Sequence, residues 1–89
     1  MSNFYAGIPY EQALQIEPLS QLVYTLREGR KQLLQRYGVD QEAALLELIR
    51  SAAVPEHPAY EHYLGALALA DSREQVRGQL SQLLAGQGQ

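Results

Sequence analysis

At 89 residues the chain has the length of one small domain, and its 46% apolar and 19% charged residues describe a folded chain rather than a disordered one. No apolar run approaches the roughly 18 residues that a membrane span requires, and residues 1–7 lack the basic flank and apolar stretch of a signal peptide, so a cytoplasmic protein is expected. Zero cysteines exclude disulfides, thiolate metal sites and cysteine nucleophiles, and the formal charge of −3 is unevenly spread.

Pro9, Pro18, Pro55 and Pro58 all fall between stretches with helical spacing. Alternating apolar and polar runs are too short to specify strands, so the reading is all-α. Proline at an entry position starts a short helix over residues 9–16, which Pro18 is expected to end. A second helix over 18–37 carries the strongest periodic signal, with Leu19, Leu22, Val23, Leu26, Leu33, Leu34 and Tyr37 inside one arc. Gly38 supplies a left-handed residue to close it, and Val39 can then fold back onto Leu33 or Leu34.

Asp40 reads as the N-cap of a third helix over 41–53, with Leu45, Leu46, Leu48, Ile49, Ala52 and Ala53 on its apolar side. The short connection makes helices two and three a hairpin. Residues 54–58 form a loop, because a residue preceding proline is pushed out of the helical region. The fourth helix, 59–70, is apolar nearly all round. Tyr60, Tyr63, Leu64 and Leu67 take one side, read as inward, while Gly65, Ala66 and Leu69 take the other. Asp71 with Glu74 and Ser72 with Gln75 have capping-box spacing, so a fifth helix is expected over 73–85, burying Val76, Leu80, Leu83 and Leu84. The expected architecture is a compact bundle of four main helices plus a short N-terminal helix, a single domain over 1–89 with residues 1–8 and 86–89 as flexible ends.

Few residues carry catalytic chemistry. His57 and His62, with Glu56 and Glu61, form the one cluster of metal-ligand types, yet a five-residue separation sets the imidazoles about 140° apart on a helix, whereas zinc-binding pairs sit four apart. They read as solvated or capping groups, with a metal-dependent enzyme around His57, Glu61 and His62 as the weaker alternative. No nucleophile elbow and no phosphate-binding glycine loop occurs, so no catalytic residue, metal or cofactor is assigned.

The charge is distributed more tellingly. Residues 17–37 hold four cations against two carboxylates, a net +2, which leaves −5 for the remainder. A basic helix followed by a glycine turn suggests a nucleic-acid binder, but Glu42 and Glu47 on the would-be recognition helix repel phosphate. Arg30 lies in the middle of the second helix's apolar stripe; its guanidinium must reach a carboxylate or free carbonyls within the chain, or else a partner. Gly29 beside it suggests a close neighbour. Six tyrosines and eleven glutamines make a surface suited to recognition without strong steering, with Tyr24 pointing away from the stripe.

The function expected from these features is a small non-catalytic protein–protein interaction module or accessory subunit, self-associating through the fourth helix. Its candidate contact residues are Tyr24, Arg30, Lys31, Ala66 and Leu69. The expectation rests on more apolar circumference over 59–70 than so small a chain can hide. Full enclosure of Ala66 and Leu69 within one subunit would remove that basis.

Overall fold

Helical spacing in the sequence is converted into three helices in the computed structural model, which describes residues 9–85: α1 (Tyr10–Gln35), α2 (Glu42–Arg50) and α3 (Glu56–Ala85). The expectation for flexible ends over 1–8 and 86–89 lies outside the described residues. All-α is therefore correct, while four main helices plus a short one is not: two predicted breaks are absent.

The first missing break is at Pro18, which sits inside α1. Proline lacks the N–H that would bond the Leu14 carbonyl and its ring crowds that carbonyl, yet the helix continues through it. One local fact softens the cost: Leu14 and Pro18 are both exposed, so water can serve the freed carbonyl. The remainder is supplied by packing along α3.

The second missing break is at Asp71 and Ser72, where α3 runs on without interruption. Instead of capping a new helix, the Asp71 carboxylate accepts from the Gln75 side-chain amide at 2.9 Å, an ordinary i,i+4 pair on a helix surface. The predicted start of this helix fares better. His57 is extended (φ −109°, ψ 127°), so the regular helix begins at Pro58.

Between the long helices, α2 is shorter than predicted at both ends. Its N-cap is Gln41 with no side-chain cap bond, so Asp40 does not cap it. At the other end Ala52 adopts a left-handed φ of 60°, and the Ala53 N–H reaches back to the Leu48 carbonyl at 2.9 Å, which closes the helix before Ala52 and Ala53 can extend its stripe. The preceding turn follows expectation: Gly38 has φ 69° and the Val39 N–H bonds the Leu34 carbonyl at 3.3 Å.

The long helices pair with each other rather than α1 with α2. A methyl group placed on Gly29 would lie 3.5 Å from Leu69 Cδ1, and one on Gly65 would lie 3.3 Å from Leu33 Cδ1. As one number rises the other falls, so α1 and α3 run antiparallel. Against one end of this pair α2 packs chiefly on α3. Leu34, Leu45, Ala59 and Ala66 form the core there, joined by half-buried Leu33, Tyr37, Val39, Leu48, Ile49, Val54 and Tyr63. At the other end Ile16 is the buried residue, and Val76, Leu80 and Leu83 are only half-covered. The extents of 55 × 22 × 15 Å and radius of gyration of 17.7 Å replace the expected compact bundle with a rod, since a compact chain of this length would have a radius near 12 Å.

Candidate functional site

The tight face of α3 sets the surface chemistry. Ala59 and Ala66 are seven residues apart and point at α1 and α2, with Gly65 admitting Leu33, because small side chains let helix backbones approach. This reverses the face assignment read from the sequence for Tyr60, Leu64, Leu67, Ala66 and Leu69, while Tyr63 packs half-buried against the core as read. Ala66 is 0% exposed and Leu69 is half-buried against Gly29, so the two expected contact residues lie in the α1–α3 seam. On the opposite side Tyr60 (40% exposed), Leu64 (45%) and Leu67 (42%) form an outward row at i, i+4, i+7. The excess apolar surface is present, then, but on the side that had been read as core. The small residues Ala59, Gly65 and Ala66 were the signal that would have found it, since small side chains let helix backbones approach. A second apolar row, Tyr10, Leu14, Pro18 and Leu22, runs along the outer face of α1.

The other expected contact residues lie on the second half of α1. Arg30 makes a two-point pair with Glu42: Nε donates to Oε2 at 2.6 Å and Nη2 to Oε1 at 2.7 Å, with side-chain exposures of 23% and 15%. That bidentate hydrogen bond, helped by the charge of Arg30 and of Arg73, holds the Glu42 carboxyl below the ordinary carboxylate range, and it raises Arg30 in turn. The structure thus turns the inward-aimed arginine onto a carboxylate of its own chain. Lys31 is exposed one residue further on, and Tyr24 (55% exposed) carries the Arg27 guanidinium 5.5 Å from its ring centroid. Arg27, Arg30, Lys31, Val39, Asp40 and Arg73 surround a concavity of about 280 Å³ between α1, the α1–α2 turn and α3. Arg73, which lines the concavity, has its Nε buried without a hydrogen-bond partner among the described residues.

The two histidines are engaged separately. His57 Nδ1 lies 2.9 Å from Glu61 Oε2 on the open surface, a contact that raises the imidazole's pKa and lowers the carboxyl's. His62 Nδ1 instead pairs with the Tyr37 hydroxyl, tying α3 to the turn that follows α1. Among the described residues no group of three or more His, Asp or Glu side chains is placed to hold a metal ion. Nor is any helix there long and apolar enough to cross a membrane.

Fold and surface together define a class: an antiparallel pair of long helices closed at one end by a short third, with an apolar row left outside. A family model, described as the Uncharacterized protein MJ0235 family, matches residues 10–88, and the chain belongs to that family. No curated protein and no solved structure matches it.

Proposed function

We propose that the chain is a small non-catalytic interaction module that self-associates through the outward row of α3, Tyr60, Leu64 and Leu67. The observation that carries this reading is the exposure of those three side chains on one stripe, a geometry that a second helix covers by ridge-into-groove packing. A second copy suits the row because the row complements itself. With two α3 helices antiparallel about a twofold axis at Leu64, residue i faces residue 128 − i of the other copy. Leu64 then meets Leu64, and Tyr60 sits level with Leu67 and Ala68 of the second copy.

Size sets the expected strength. Three side chains, each less than half exposed, cover far less than the roughly 800 Å² per partner of a standard interface. The association is therefore weak and concentration-dependent, unless the outer row of α1 is covered as well. Sedimentation equilibrium tests it. The mass should rise above 9.9 kDa with concentration, and Leu64→Glu with Leu67→Glu should hold it at the monomer value while leaving helix content unchanged. A wild-type chain that stays monomeric up to about 1 mM, the range of the weakest specific contacts, contradicts the proposal.

A further inference from the structure

The concavity beside α1 has a chemistry that the apolar row of α3 does not use. Four cationic side chains, Arg27, Arg30, Lys31 and Arg73, converge on it in a chain whose overall charge is −3. Arg30 is spent on Glu42 through both donors of its fork. Among the described residues the other three make no hydrogen bond to a carboxylate, although Arg27 lies over the Tyr24 ring. Arg27 comes no closer than 3.8 Å to Glu28, and Arg73 no closer than 3.9 Å to Glu74, a carboxylate that Arg77 approaches more nearly at 3.5 Å. Asp40 offsets one of the three cations, so the lining keeps two positive charges once Arg30 and Glu42 cancel. Buried donors in folded proteins almost always have acceptors, and Arg73 Nε has none among the described residues.

From this arrangement we infer that the concavity is a binding site for a small phosphate monoester, whose dianionic oxygens take the donors of Arg73, Lys31 and Arg27 while its organic part rests on Leu34 and Val39. Charge and shape agree on the class. Guanidinium forks match tetrahedral oxyanions and an ammonium adds a point charge. A space of about 280 Å³ lies at the small end of ligand pockets, enough for a phosphate and a few carbons. Arg30 is a positioning residue: its pair with Glu42 pins the start of α2 against α1 and fixes the wall that Val39 and Asp40 supply.

The site is tested on the full chain by titrating inorganic phosphate, and separately glycerol 3-phosphate, against a chloride control of equal ionic strength. The readouts are the Arg73 Nε–Hε signal and the Val39 and Asp40 amides in nitrogen–proton correlation spectra. Expected are saturable shifts with both phosphates, at a dissociation constant of about 1 mM or tighter, absent with chloride. Arg73→Gln should weaken binding at least tenfold, and Lys31→Gln, an exposed change that spares the fold, severalfold; Arg36→Gln, outside the concavity, should leave it unchanged. Shifts that chloride reproduces, or that persist unaltered in both Arg73→Gln and Lys31→Gln, overturn the assignment. Neither result bears on the oligomeric state, so this inference and the self-association reading fail independently.

Discussion

Arg30 shows how far single residues were legible. A cation in the middle of an apolar stripe must find an acceptor, and that need is readable in the sequence; that the acceptor is Glu42, twelve positions on and across a turn, depends on the left-handed Gly38 and was not. Because both side chains are less than a third exposed, Glu42→Gln should cost about 1–2 kcal/mol at neutral pH. The sign with pH follows from the lowered Glu42 carboxyl. Its contribution is complete above the ordinary glutamate value, about pH 4.3, and is lost as pH falls through the depressed folded value. Chemical denaturation at a series of pH values should show wild type and Glu42→Gln separated at neutral pH and converging in acid. Ala52 is the converse case, an L residue held at φ 60° where glycine would be free of strain. Ala52→Gly should raise stability by about 1 kcal/mol, read as a higher melting temperature.

Helices were legible and their ends were not. The apolar spacing located nearly all the helical residues, and the glycine turn after α1 was found because its chemistry is local. Pro18 and the Asp71–Ser72 pair misled because a local stop signal competes with packing along the entire length of a partner helix, which the sequence does not display. The outcome at Pro18 carries a residual cost. Pro18→Ala restores a backbone donor to the Leu14 carbonyl in a helix that already exists, and should stabilise the chain by about 1–3 kcal/mol. Equilibrium unfolding in urea should show a higher midpoint with an unchanged slope. A lower midpoint would mean that the proline is favoured where it stands.

At the scale of the molecule, the apolar surplus of residues 59–70 was legible and its direction was not, because helical periodicity alone does not say which of two apolar faces is the seam. The contact of Gly65 with Leu33 and the burial of Ala59 and Ala66 decide it. The rod that results has a core at one end and leaves Tyr60, Leu64 and Leu67 in water. The central claim is that another copy of α3 covers this row with Leu64 on the twofold axis. Since the chain holds no cysteine, single thiols can be placed at will, and the most direct measurement is the rate of disulfide-linked dimer formation by Leu64→Cys under mild oxidation, beside Gln21→Cys on the outer face of α1. The account predicts fast, nearly complete coupling through position 64 and slow coupling through position 21. Equal rates at the two positions would contradict it.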